Sequence, residues 1–334
     1  MKAVLSTEPG GPESLHIGDL TPPSPRAGEV LVDVKAVGVN YPDVLIIEDK
    51  YQYKPERPFS PGGELSGVIR EVGEGVTDLQ VGDRILAYCA WGAMAEQATV
   101  NASYCAKIPD DMPFEVAAAF IFTYGTAHYA LKHRGELRKG EKLLILGAAG
   151  GVGMAALEVG LAMGAEIIAA CSSQEKADAC RAKGAHHTLV YPASTMDRHA
   201  QREFSARIKE VSGGGVDVIC DAVGGNYAEP SLRSLNWEGR YLVIGFPAGI
   251  PSIPLNLPLL KSCDIRGVFW GAWLENFPHE FRHALNDLLT LYRQGSLRPH
   301  ISSVYAMEDA GKAILELSAR RAVGKVVVTI SQGG

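Results

Sequence analysis

The stretch Leu143 to Gly153, Leu-Leu-Ile-Leu-Gly-Ala-Ala-Gly-Gly-Val-Gly, constrains the fold of this chain more than any other. An apolar strand follows the turn Arg138-Lys139-Gly140-Glu141-Lys142 and runs straight into a glycine-rich turn. Met154 to Met163 then reads as a helix, and a second apolar run, Ile167 to Ala170, follows at the distance a βαβ unit needs. Glycines at such a turn let the backbone approach a pyrophosphate closely, and the helix N-terminus offers N–H groups and the positive end of its dipole. A glycine-rich turn alone is weak evidence. The strand before it and the helix behind it supply the context for a dinucleotide cradle at Ala149, Gly150, Gly151, Val152 and Gly153.

A site for NAD usually places Asp or Glu at the end of the second strand, to hold the ribose 2′-hydroxyl. Here the strand end reads Ala170-Cys171-Ser172-Ser173-Gln174-Glu175-Lys176, with no carboxylate at Cys171 or Ser172. A serine hydroxyl can donate to a 2′-phosphate and Lys176 can neutralise it, so the residues favour NADPH over NADH. The plainer reading keeps Ser173 as a helix N-cap and Lys176 as a solvated helix residue.

The remaining pattern divides the chain. Up to about residue 115, strand and turn signals dominate, including the run Glu29 to Val39 and the strand Leu65 to Val72. Beyond Pro113, strands and helices alternate: strands at 143–147, 166–171, 188–191, 216–221 and 239–245, with helices at 151–163, 174–183, 197–211 and 227–235 between them. That alternation predicts an α/β fold with a doubly wound parallel (Rossmann) sheet. A sixth, edge strand is expected at 265–270, a helix at 277–293, and a final strand at 325–330 returning to the first domain. The expected division is 118–270 for the dinucleotide domain and 1–117 with 271–334 for the other.

Composition excludes several classes. The 334 residues carry a net charge of −6, which disfavours nucleic acid and anionic membranes as partners. No apolar run is long enough to span a bilayer. The cysteines, Cys89, Cys105, Cys171, Cys180, Cys220 and Cys263, form no C-x-x-C pair and most lie in apolar runs, which reads as buried thiols in a reducing cytoplasm. No signal region follows Met1, so a cytoplasmic location is expected.

Several ordered motifs together carry a resemblance: Gly38-Val39-Asn40-Tyr41-Pro42-Asp43, Pro61-Gly62-Gly63-Glu64-Leu65-Ser66-Gly67, Val81-Gly82-Asp83-Arg84, Thr123-Tyr124-Gly125-Thr126-Ala127, the Ala148 to Gly153 turn, Asp221-Ala222-Val223-Gly224-Gly225 and Gly324-Lys325-Val326-Val327. Over essentially its whole length the chain resembles the medium-chain dehydrogenase/reductase superfamily, and within it the zinc-free quinone oxidoreductase group. The resemblance implies an irregular β-barrel (GroES-like) catalytic domain beside the Rossmann domain. Zinc-dependent relatives carry Cys where Asn40 stands and His where Gly63 stands, and their lobe of four closely spaced cysteines is missing here. Glu64 alone cannot hold a catalytic zinc, so no metal is expected.

Without zinc, a reductase needs an acceptor that is already electrophilic, such as a quinone, enone, enal or unsaturated thioester. Asn40 offers amide N–H groups to an oxygen gaining charge. Tyr41, Tyr51, Tyr53 and Tyr124 are candidates for stacking on a flat substrate or relaying a proton, although packing is the plainer role for each. The resemblance makes Asp43 a structural or paired residue. It places Thr126 at the nicotinamide side, Ser172 and Lys176 at the 2′-phosphate, and Tyr191 near the adenosine end. Val223, Gly245 and Phe246 line the nicotinamide, with Phe269 and Trp270 at its carboxamide. Three readings stay open: an NADPH-dependent reductase of quinones and conjugated carbonyls, an enoyl-thioester reductase, and a non-catalytic NADPH-binding protein. The apolar edge strand expected at 265–270 further predicts a homodimer, because a bare apolar edge invites pairing.

Overall fold

The computed structural model describes residues 1–192 and 196–331. Strands run in chain order as β1 (Lys2–Leu5), β2 (His16–Asp19), β3 (Glu29–Val39), β4 (Glu64–Val72), β5 (Arg84–Tyr88), β6 (Gln97–Asn101), β7 (Cys105–Lys107), β8 (Lys142–Leu146), β9 (Glu166–Cys171), β10 (His187–Val190), β11 (Val216–Asp221), β12 (Leu235–Val243), β13 (Asp264–Gly267), β14 (Ile301–Ala306) and β15 (Lys325–Thr329). The helices are α1 (Tyr41–Ile47), α2 (Phe114–Ala118), α3 (Ile121–His128), α4 (Gly151–Ala162), α5 (Gln174–Ala182), α6 (Arg198–Val211), α7 (Ala228–Leu232), α8 (Asn256–Lys261), α9 (Trp270–Asn276), α10 (Pro278–Arg293) and α11 (Ala310–Ser318).

The chain divides into two compact units. One, the β-rich unit, holds Met1–Phe122, Phe277–Leu289 and Pro299–Gly334; the other, the parallel-sheet unit, holds Thr123–Asn276 and Thr290–Arg298. Three placements differ from the sequence expectation. Residues 118–122 group with the β-rich unit, where Gly38 leaves room for the Ala118 carbonyl and the Phe122 N–H donates to Glu64 at 2.9 Å. Residues 271–276 group with the parallel sheet. Residues 290–298 belong with the parallel sheet, where the Arg298 N–H donates to Glu158 of α4 at 2.9 Å.

The β-rich unit is built on β3. Its first half pairs with β6 and its last residues with β15, while β4 lies along most of its length, all antiparallel. Register shifts between Leu31 and Val32 and between Val34 and Ala36 bend this long strand, so that one strand serves three neighbours. The full path is β14-β15-β3-β4-β5-β7, so the last strand of the chain does return to this unit. Val32, Val34, Val37, Ile69 and Ile85 fill its core, each 1% exposed or less.

The other unit is a six-stranded parallel sheet of order β10-β9-β8-β11-β12-β13. Leu144 aligns with Ile168 on one side and Ile219 on the other. Strands covered on both faces read as continuous apolar runs, and Leu143 to Leu146 are completely buried. Strand order reverses beside β8, and the turn after β8 therefore lies at the topological switch point, where open α/β sheets bind ligands. The edge strand is shorter than its sequence suggests. β13 ends at Gly267, and Trp270, expected on the strand, is 3% exposed and opens α9. Its indole occupies space that only a glycine at 125 leaves: a Cβ there would meet the indole ring at 2.8 Å.

Candidate cofactor cradle and active site

The turn Gly147–Gly150 is fixed from several sides. The Ala148 N–H donates to Ala170 O at 3.1 Å and the Gly150 N–H to Gly147 O at 3.0 Å. Gly147 has φ +70°, a left-handed conformation that favours glycine. A Cβ on Gly153 would collide with the Gly147 carbonyl and the Ala148 backbone, so the last glycine of the motif lets α4 pack against its own turn. Gly150 is the N-cap of α4 and brings no capping side chain, and the first-turn N–H groups of Gly151, Val152 and Gly153 have no intrahelical acceptor.

Two further loops join this turn. A Cβ on Gly147 would meet Val223 at 2.8 Å, and one on Gly224 would meet Phe246 at 3.0 Å. The Val223 loop is held by Asp221, whose Oδ1 accepts from the N–H groups of Val223 and Gly224 at 2.8 and 2.9 Å, while Oδ2 accepts from the Tyr241 hydroxyl. Ala148 to Gly153, Val223 and Gly245-Phe246 are thereby brought together at one end of the sheet. Phe246 and Phe269 are 42% and 50% exposed, Val223 and Gly245 half-buried, and Thr126 buried within α3.

At the end of β9, Ser173 is the N-cap of α5 and its Oγ accepts from the Lys176 N–H at 3.3 Å. Ser172, just past the strand, and Lys176, in the first turn of α5, are both half-buried, and Glu175 is exposed. The N-cap reading of Ser173 therefore holds, and it leaves Ser172 and Lys176 at a strand end that carries no carboxylate.

Two sequence-predicted residues sit elsewhere than expected. Tyr191 is 5% exposed, with its ring 4.6 Å from Tyr227 and 5.8 Å from Phe204 in the core, and burial pushes its phenol pKa up. Its ring is packed in the core beneath the turn rather than presented at the surface. Tyr124 is 3% exposed and donates to Glu158 Oε2 at 2.6 Å; burial, then the Glu158 charge, holds its proton firmly. Its hydroxyl is committed to α4, and the expected stacking or proton relay is corrected to a packing role.

In the β-rich unit a polar network lies where the resemblance points. Lys325, at the head of β15, donates from Nζ to Glu64 Oε1 at 2.6 Å, to Asn40 Oδ1 at 2.7 Å and to the Val39 carbonyl at 2.9 Å. Asn40 Nδ2 donates to Glu64 Oε1 at 2.8 Å and to Gly38 O at 3.2 Å. This orientation of the amide is the one the partners allow, since an ammonium only donates and a carboxylate only accepts. The Phe122 N–H completes the set on Glu64 Oε2 at 2.9 Å. Asn40, Glu64 and Lys325 are each 5% exposed or less. Both amide hydrogens of Asn40 are thus engaged within the chain, which leaves neither for the donation to substrate expected of it.

Asp43 adjoins the network, its Oδ2 accepting from the Asn40 N–H at 2.7 Å and its Oδ1 from the Gly62 N–H at 3.1 Å. Burial pushes its pKa up to about 7, outweighing the two N–H bonds and the Lys325 charge. Tyr41, the first residue of α1, is 37% exposed, while Tyr51 and Tyr53 are half-buried on the core. Lys325, Glu158 and Asp221 were given no role from the sequence, and Glu64 was weighed only as a zinc ligand. Their signal was a charged residue at the end of an otherwise buried strand or inside an apolar helix.

A zinc ion does not fit this residue set: position 40 is an amide, position 63 has no side chain, and the Lys325 ammonium already occupies the oxygens of Asn40 and Glu64. Among the described residues no group of three or more His, Cys, Asp and Glu side chains is assembled to hold a metal. All six cysteines are free thiols, and no helix among the described residues is long and apolar enough to cross a membrane.

Comparison with known proteins supplies the family context. Residues 26–110 match the alcohol dehydrogenase GroES-like domain, and residues 151–290 match the family described as zinc-binding dehydrogenase. Quinone oxidoreductase-like protein 2 of Mus musculus is 36% identical over 332 residues, covering 98% of this chain and 92% of the relative. A mycobacterial protein solved in complex with NADPH superposes with a TM-score of 0.90 at 33% identity, covering 98% of this chain and 100% of the other. The Escherichia coli quinone oxidoreductase complexed with NADPH gives a TM-score of 0.88 at 28% identity, again covering 98% and 100%.

The Asp43 environment generates a pH prediction. An acid whose pKa rises from 3.8 to about 7 on folding binds its proton more tightly in the native state, so its contribution to stability is present at low pH and is lost as pH rises through that window. Asp43→Asn should remove this slope, on the order of 4 kcal/mol between pH 4 and pH 7. Urea unfolding of both proteins across that range measures it; parallel pH profiles would contradict the assignment.

Proposed function

The chain belongs to the quinone oxidoreductase group of the medium-chain dehydrogenase/reductase superfamily, and from that premise we propose that it is an NADPH-dependent reductase of quinones and other conjugated carbonyls that works without a metal. The observation that carries the reading is the buried Lys325–Glu64–Asn40 network, in which Asn40 stands where zinc-dependent relatives carry a cysteine ligand. A site that offers no Lewis acid favours acceptors whose own conjugation delocalises the incoming charge.

NADPH, when bound, supplies hydride from its nicotinamide C4. The protein's part is to bind and orient. Gly150, Gly151, Val152 and Gly153 cradle the pyrophosphate with backbone N–H groups, and Ser172 and Lys176 meet the 2′-phosphate. Thr126, Val223, Gly245, Phe246, Phe269 and Trp270 border the nicotinamide. Asn40, fixed by Lys325, Glu64 and Gly38, holds the backbone from which Tyr41 projects. Of the four candidate tyrosines Tyr41 is the exposed one, and the proposal assigns it the hydrogen bond to the acceptor oxygen that gains charge.

The exposed Ile265 on β13, 42% exposed at an edge with one sheet neighbour, supports a homodimer formed by pairing of β13 with its symmetry mate. Analytical ultracentrifugation should give the mass of two chains, and a monomer at micromolar concentration contradicts it.

Turnover tests the reading as a whole. Purified protein with NADPH should consume the reduced cofactor in the presence of a quinone or an enone; consumption with neither, or with enoyl-CoA alone, would overturn it. Lys176→Ala should weaken NADPH by roughly 1.5–3 kcal/mol, the range for a hydrogen bond to a charged group, and leave NADH nearly unchanged. Calorimetric titration checks this, and equal losses for both cofactors would remove Lys176 from the phosphate site.

A further inference from the structure

We infer that Trp91 determines acceptor specificity, presenting an electron-rich face to planar, ring-conjugated carbonyls such as fused-ring quinones; the inference rests on the reading that the chain reduces conjugated carbonyls. Trp91 lies on the turn between β5 and β6. Its neighbours Ala90 and Gly92 both take left-handed backbone, with φ +64° and φ +100°. The turn is clamped to residues 60–63: the Cys89 N–H donates to Gly63 O at 3.0 Å, Gly92 to Ser60 O at 2.8 Å, and Ala93 to Gly62 O at 3.1 Å. It is seated on Gly63, where an added Cβ would meet the Ala90 carbonyl at 3.1 Å. The Gly62 N–H in turn donates to Asp43, whose other oxygen accepts from Asn40. A residue remote in sequence is thereby tied through hydrogen bonds to Asp43 and the Asn40–Glu64–Lys325 network.

The clamp holds the indole where the core does not cover it. Trp91 is 39% exposed, whereas Tyr51 and Tyr53 pack half-buried on the core. The Trp91 and Tyr53 rings are 6.1 Å apart and tilted by 45°, and Tyr53 and Tyr51 are 5.7 Å apart and tilted by 59°. Neither pair is stacked face to face. An electron-poor quinone ring complements an indole face in offset stacking. An acyclic enal or enone has no ring to place there. If Trp91 served only to cap Tyr53, its removal would alter all acceptors alike.

The test compares acceptors in the NADPH-saturated enzyme. Trp91→Ala should raise KM for naphthoquinone about tenfold, Trp91→Phe should recover most of that loss, and kcat/KM for methyl vinyl ketone should fall by less than about threefold. Equal losses on both acceptors, or none on naphthoquinone, would overturn the inference. A binding measurement separates it from the reading beneath it. Naphthoquinone should quench tryptophan emission of the NADP+-loaded protein, and Trp91→Phe should remove most of that quenching. If wild-type protein turns over neither acceptor, the reductase reading fails, and the quenching decides Trp91 alone: loss in the variant supports the contact, and equal quenching in both proteins overturns it.

Discussion

The buried ion pair between Lys325 and Glu64 is the constraint on which the β-rich unit depends. Both charges are withdrawn from water, with 5% and 0% of their side chains exposed. Such a pair stands only if its remaining donors and acceptors are filled. Here they are filled by the Val39 carbonyl, the Asn40 amide and the Phe122 N–H. One charge therefore ties together the last strand of the chain, β3, β4 and the start of α3. Removing either partner would leave an uncompensated charge in a dry core. The same pair holds Asn40, which stands where zinc-dependent relatives carry a cysteine ligand, and so ties the architecture of this unit to the class of acceptor proposed for it.

The parallel-sheet unit follows a similar plan, with buried polar groups holding loops. Asp221 fixes the Val223 loop, and Tyr191 packs with Tyr227 and Phe204 in the core. Glu158, 5% exposed on α4, accepts from Tyr124, Lys183 and the Arg298 N–H, and so joins α3, α5 and the segment after α10 to the helix whose first turn forms the cradle. Asp221 and Glu158 are each 5% exposed or less. They set the positions of backbone N–H groups, and backbone groups are what a pyrophosphate needs.

Much of this was legible in the sequence, for reasons that separate local from distant effects. The glycine-rich turn, the alternation of strands and helices, and the absence of a carboxylate at the end of β9 depend on neighbouring residues and were read directly. Lys325 bonds Glu64 and Asn40 across 261 and 285 residues, and no local pattern reveals such a pairing. Asn40 therefore read as a free donor, and Tyr124 and Tyr191 as ligand contacts, when distant partners in the fold claim all three. The apolar run at 265–270 read as one strand, but it breaks after Gly267 and Trp270 turns into a helix beside Gly125. Burial could be foreseen at these positions, but the identity of the neighbour could not.

The proposed chemistry is hydride transfer to a conjugated carbonyl by a site whose cation is a lysine. Single-turnover oxidation of NADPH, carrying deuterium at the transferred C4 position, tests it most directly when followed by stopped-flow absorbance with naphthoquinone in the presence of a strong chelator. The account predicts a rate slowed by the isotope and unaltered by the chelator. A rate abolished by the chelator and restored by zinc would contradict it.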